Sequence, residues 1–182
     1  GLHGVQPLGA YVMERQVAQA AAARLTSSES PLLDDNSVKA LVSDYQRREG
    51  LTLNEQQLQA VTLAIRHRLA LVTGGAGVGK TTVLKAVYRL MDAAGIQVTQ
   101  LALAGRAAKR MQEATGRPAS TIANFLRSTV TGSLGENCLV VIDEASMVDI
   151  ISMSRVCEVL GAAPRLLLVG DPAPVSYTHL RA

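Results

Sequence analysis

LALVTGGAGVGKTT, residues 69–82, decides the fold. A short apolar run passes into a glycine-rich turn, and the turn passes into lysine, two threonines and a helix-forming segment. Strand, GxxxxGKT and helix in that order are the context that a phosphate-binding loop requires. In such a turn successive backbone N–H groups point into one nest around a β-phosphate, and the free N–H groups of the next helix add partial positive charge. Lys80 has the length to reach β and γ oxygens, and the Thr81 hydroxyl can take one position on Mg²⁺. The expected nucleotide contacts run through Gly75, Ala76, Gly77, Val78, Gly79, Lys80, Thr81 and Thr82, with Thr82 suited more to capping or packing. A turn without a ligand accounts for the glycines but not for lysine and threonine at these two positions. The expected ligand is ATP with Mg²⁺.

On either side of this stretch, compact apolar runs alternate with amphipathic segments. Residues 54–68, 80–94 (closed by Gly95), 105–115 and 120–127 read as helices. Residues 69–73, 96–103, 138–142 and 166–169 read as strands, the last two of the kind that a parallel sheet buries on both faces. Strands separated by helices imply an α/β architecture with right-handed crossovers. Upstream, residues 11–25 and 38–49 read as helices, the second ended by Gly50, with a Ser-, Asp- and Asn-rich linker at 26–37. This divides the chain into a helical segment with linker at 1–50, a nucleotide-binding domain at 51–173 and an aberrant tail at 174–182.

CLVVIDEAS, residues 138–146, is an apolar strand ending in two adjacent carboxylates. At a strand end the chain turns, so both side chains can reach the crevice where an α/β sheet binds ligands. Asp143 is expected on Mg²⁺, through water, and Glu144 as the group that polarises the water attacking the γ-phosphate. An acidic pair after a strand is also a common solvated turn; the upstream loop is what favours function. Lys80 and Glu144 are the expected catalytic pair.

The 182 residues leave room for one ordinary domain and a small appendage, and 48% hydrophobic against 18% charged residues permits a packed core. A net charge of +3 is too small to decide the partner. Cys138 and Cys157 lack CxxC spacing, so they read as two reduced core thiols rather than a disulfide or zinc site. No apolar run approaches the ~20 residues of a membrane span, and the first residues do not read as a secretory signal. The expectation is a cytoplasmic protein without a membrane partner.

NEQQLQAV (residues 54–61), GGAGVGKTT, LALAGRAAKRMQEATGRPASTIANFL (residues 101–126) and LVVIDEASMVD resemble motifs Q, I, Ia and II of superfamily 1 helicases. GRAAKRMxEATG, a following TI and DEASMVD together are similar to the RecD-like branch, the exonuclease V alpha-type 5′ to 3′ DNA helicases, and relaxase-linked helicases share much of this. The resemblance covers roughly residues 51–172. It implies a RecA-like P-loop NTPase, a parallel sheet flanked by helices, incomplete at its C-terminal end and preceded by a small helical segment. It also implies adenine contact by Gln56 or Gln57, with Gln56 favoured by the motif's pattern. Arg106, Lys109 and Arg110 lie at helical spacings of three and four, on one face of the motif Ia helix, and become candidates for single-stranded DNA.

The chain departs from the family in two places. Leu103, Ala104 and Gly105 stand where Pro-Thr-Gly is usual, removing a hydroxyl expected to hold a DNA phosphate. Pro174 stands where a γ-phosphate-sensing Gln belongs, and from there the text resembles nothing in the family. The implied strand order places residues 166–169 between the P-loop strand and the acidic strand, with 96–103 outermost and a fifth strand beyond residue 182. The arginine finger would come from a second RecA-like domain, so the fragment is expected to hydrolyse ATP slowly or not at all. Implied partners are single-stranded DNA, that second domain, and a nuclease or repair complex. The alternative is a nucleotide-gated switch module without translocation; a P-loop kinase lacks any acceptor-binding lid here.

Overall fold

The structure is a computed structural model that describes residues 8–26, 31–75, 77 and 79–171. The elements are α1 (Leu8–Leu25), α2 (Asp35–Glu49), α3 (Glu55–Arg66), β1 (Leu69–Thr73), α4 (Lys80–Ala93), β2 (Gln97–Ala102), α5 (Gly105–Thr115), β3 (Ala119–Thr121), α6 (Ile122–Ser128), β4 (Cys138–Ile142), a short 3-10 turn (Ala145–Met147), α7 (Ile150–Leu160) and β5 (Arg165–Gly170). The strands form one five-stranded sheet in the order β1-β5-β4-β2-β3, with every pairing parallel.

The side-chain period of a strand explains how helices cover both faces. In β4, wholly buried, Leu139 and Val141 join one apolar cluster while Val140 and Ile142 join the other. The first cluster takes Val42 and Tyr45 from α2, Val61 and Ile65 from α3 and the apolar side of α4. The second takes Ile122 and Phe125 from α6 and Val156 and Leu160 from α7. Phe125 is thus core. Both cysteines are free, buried thiols, and burial pushes both thiol pKa values up, as expected for unreactive core sulfur.

Local chemistry sets the helix ends. Asp34 accepts from the N–H groups of Asn36 (2.9 Å) and Ser37 (3.0 Å) at the start of α2, so the linker read at 26–37 gives way to helix at Asp35. Gly50 ends α2 in the left-handed region (φ 64°), as its position suggests. Near the bottom of the sheet three buried arginines bind carbonyls. Arg24 on α1 donates to Pro164 O (3.0 Å) and Gly161 O (2.5 Å), Arg68 donates to Ala163 O, and Arg165 donates to His67 O (3.1 Å). The loop after α7 is thereby tied to α1 and to the start of β1.

β5 lies between β1 and β4 as the family resemblance implies, but two other expectations need correction. The strand at 96–103 is not outermost, because β3 pairs outside it, Gln100 opposite Ala119 through Ala102 opposite Thr121. Four strands were expected within the chain, and β3 makes a fifth among the described residues. The segment read as a helix from 120 is strand until Thr121, whose side chain then caps α6 by accepting from Asn124 N (3.1 Å). Helix α7 went unread, although Asp149 caps it by accepting from Ser152 N (2.9 Å) and its buried Val156, Cys157 and Leu160 repeat at helical spacing. The tail at 174–182, including Pro174, lies outside the described residues.

The cause of β3 is a buried amide. Gln100, 1% exposed, donates from Nε2 to Arg117 O (2.9 Å) and Pro118 O (3.1 Å), holding the chain after α5 alongside β2. Its Oε1 accepts from Tyr88 (2.9 Å) and Thr115 (3.0 Å). Burial, and secondarily the Asp143 carboxylate, push the Tyr88 phenol pKa up, so its hydroxyl stays a donor. Gln100→Leu strands several of these groups without partners. It is expected to destabilise the fold by about 2 kcal/mol or more, read by calorimetry as a Tm lowered by about 4–8 °C.

Candidate nucleotide site and its basic neighbour

Parallel pairing brings the C-terminal ends of β1, β5 and β4 to one edge of the sheet. Thr73 lies opposite Gly170, and Gly74 N donates to Gly170 O at 3.3 Å. Gly170 leaves room for the turn after the acidic pair, because a Cβ there would sit 3.3 Å from both Ser146 N and Ser146 Oγ. The loop after β1, the end of β5 and the turn after β4 therefore meet.

Two clefts open at this edge and share Lys80. The larger, about 470 Å³, lies between the loop and α3 and is lined by Asn54, Gln56, Gln57, Ala60 and Gly79 among others. Its size suits a small-molecule ligand. The smaller, about 190 Å³, is lined by Lys80, Asp143, Glu144, Ser146, Gly170 and Asp171 among others. Lys80 Nζ donates to Gly74 O at 2.8 Å and to the carboxylate of Asp171. Lys80 thus stands where the two clefts meet.

Gly75 and Gly77 are exposed in the loop, and Gly79 takes φ 85° as the residue before α4. Thr81 is exposed in the first turn of α4, while Thr82 is half-buried and its carbonyl accepts from the Tyr45 hydroxyl (3.1 Å). Ala76 and Val78 lie outside the described residues. Above the loop, Asn54 and Gln57 form a reciprocal cap on α3: Asn54 Oδ1 accepts from Gln57 N (2.9 Å), and Gln57 Oε1 accepts from Asn54 N (3.0 Å). That cap turns the Gln57 amide toward the loop, so a Cβ on Gly79 would run into Gln57 Nε2. Gln56 lines the same cleft and is exposed.

Asp143 and Glu144 are half-buried at the end of β4. Asp143 Oδ1 accepts from Glu144 N at 2.9 Å. Glu144 has φ 53°, the one non-glycine positive φ among the described residues, where the strand breaks into the 3-10 turn. Its carboxylate meets Arg110 of α5, with 3.4 Å between Arg110 Nη2 and Glu144 Oε1. Arg106, Lys109 and Arg110 are all exposed, and Lys109 also lies 3.9 Å from Glu113.

The donor set fits Mg²⁺. Thr81 and Asp143 offer hard oxygens, and no cluster of three or more His, Cys, Asp or Glu suited to a metal occurs among the described residues. An ion that keeps its waters and takes phosphate oxygens needs only one or two protein groups. Asp171 and Asn54 are the site residues that sequence reasoning did not assign. Asp171 lies two residues beyond the strand read at 166–169, and Asn54 stands three residues before Gln57 in capping-box spacing, which are the available signals.

The sheet order, the loop and the acidic strand end define a RecA-like P-loop nucleoside triphosphatase domain. A family profile described as "AAA domain" matches residues 52–176, and the chain belongs to that family. It is 36% identical over 125 residues to the ATP-dependent RecD2 DNA helicase of Deinococcus radiodurans, covering 65% of this chain and 18% of that protein. To the probable conjugal transfer protein TraA of Sinorhizobium fredii it is 34% identical over 137 residues, 74% of this chain and 12% of the relative. To the RecBCD enzyme subunit RecD of Mycolicibacterium smegmatis it is 32% identical over 164 residues, 72% of this chain and 29% of the relative. The first of these is named an ATP-dependent DNA helicase and the third a subunit of the RecBCD enzyme, and the chain spans less than a third of the length of each of the three. Among the described residues no helix is long and apolar enough to cross a membrane.

Gly79→Ala places a Cβ against Gln57 and strains a left-handed backbone. Calorimetric titration with Mg·ATP is expected to show affinity reduced by about tenfold or more, equal to at least ~1.4 kcal/mol. Gly105→Ala, whose Cβ meets nothing within 4 Å, should leave that affinity unchanged.

Proposed function

We propose that this chain carries the ATP-binding half of a RecD-like DNA helicase motor. The observation that carries the reading is Lys80 at the junction of two clefts, one walled by Gln56 and Gln57, the other by Asp143 and Glu144. The triphosphate lies along the loop of Gly75, Ala76, Gly77, Val78 and Gly79, with Lys80 on its β and γ oxygens. Thr81 and Asp143 hold Mg²⁺, which when bound offsets the charge developing on the phosphates. Thr82 supports the loop from the half-buried side of α4. Gln56, exposed at the cleft, reaches the adenine edge, while the cap-bound amide of Gln57 braces Gly79 from above.

Glu144 orients and polarises the attacking water. Arg106, Lys109 and Arg110 present a basic face to single-stranded DNA, and the similarity to named DNA helicases supports that choice of polymer. Polarity, 5′ to 3′, rests on family analogy. A second RecA-like domain supplies the arginine finger, worth about 10³–10⁵ in rate in other NTPases. Residues 1–182 alone should therefore hydrolyse ATP slowly or not at all. The motor works in the cytoplasm, with a nuclease or repair complex as its setting. The TraA relatives favour a second setting, a motor acting in conjugal DNA transfer.

Three variants test this reading. Lys80→Ala should abolish measurable Mg·ATP binding, and unchanged affinity would sink the assignment. Glu144→Gln should bind ATP normally and lose whatever turnover the wild-type chain has. Asp171→Asn removes the carboxylate that competes with phosphate for Lys80, and should tighten ATP binding by up to about fivefold, the worth of one exposed ion pair.

A further inference from the structure

Arg110 stands between two roles. It belongs to the basic face of α5, and its guanidinium also sits 3.4 Å from the Glu144 carboxylate. Among the described residues it is the one cationic side chain within ion-pair distance of Glu144. The partners come from separate elements, α5 and the turn after β4, 34 positions apart in sequence. The positive φ of Glu144 fixes where its side chain leaves the backbone. Arg110 is 72% exposed and Glu144 41%, so the pair is well solvated, screened by salt and easily exchanged for a stronger partner. A phosphate is such a partner, because it accepts both arms of a guanidinium fork.

We propose that Arg110 is a positioning residue for Glu144: it holds the carboxylate toward α5 until a nucleic-acid phosphate on that helix takes the guanidinium, which frees Glu144 to face the water beside Lys80. The proposal rests on the reading of Glu144 as the water-polarising group and of α5 as a DNA face. It makes the strand phosphate and the Glu144 carboxylate compete for one guanidinium, so the pair weakens strand binding by the same factor by which the strand weakens the pair. Neighbouring Arg106 and Lys109 lie on the same helix and can hold the strand without touching Glu144.

A double-mutant cycle on the full 182-residue chain tests it, with fluorescein-labelled oligo-dT as the probe and anisotropy at low salt as the readout. Arg110→Ala should weaken oligo-dT binding. Glu144→Gln should tighten it by about 1.5- to 5-fold, the equilibrium equivalent of one exposed pair. In the Arg110→Ala background Glu144→Gln should change nothing, and Arg110→Lys should restore part of the coupling. Equal tightening by Glu144→Gln in both backgrounds would mean general charge removal and would overturn the proposal. So would no tightening in either. Binding of oligo-dT by none of the proteins would instead remove the DNA reading of α5, and the coupling with it. A second readout needs no DNA: Arg110→Ala should raise basal Mg·ATP hydrolysis above wild type, and a rate equal to or below wild type counts against the restraint.

Discussion

The parallel pairing of β5 between β1 and β4 is the constraint on which the site depends. Parallel strands end on the same side, so the loop after β1, the Gly170–Asp171 end of β5 and the Asp143–Glu144 end of β4 come together at one edge of the sheet. Register does the positioning: Val72 faces Val169 and Ile142 faces Leu168, which leaves Gly74 and Asp143 each within one residue of the level of Gly170. Apolar packing keeps that register, because a one-residue slip would send Leu139 and Val141 to the wrong face.

On this frame the charged groups form a short series. Lys80 meets Asp171, and Glu144 meets Arg110. Lys80 and Glu144 are thus each held by a partner from another element, and these contacts are exposed enough to exchange. Neutral hydrogen bonds surround them: the Asn54–Gln57 cap above the loop, and Gln100 beneath α5 and β3.

Much of this was legible in the residues. The limits of β1, α5 and β4 match the sequence reading because each has a sharp signal: an apolar run into glycines, a helix closed at Gly116, an apolar run into two carboxylates. The start of α6 and the whole of β3 were not legible, since three half-buried residues, Ala119, Ser120 and Thr121, carry no apolar periodicity. What makes them a strand is Gln100, contributed from β2 and invisible to any local window. Helix α7 had its cap and spacing in the text, masked by a run that is apolar on most sides.

The residues alone specify the chemistry available: a glycine-rich loop with Lys80 and Thr81, a strand ending in Asp143 and Glu144, and a basic α5. Residue type and short-range spacing are enough for that, because a loop nest and a helical face are local objects. Which groups meet is a matter of how the elements pack. That Asp171 holds Lys80, that the Gln57 amide lies over Gly79, and that Arg110 reaches Glu144 all follow from strand order and helix packing. These partners are separated by tens of residues along the chain, and only the sheet brings their backbones within side-chain reach.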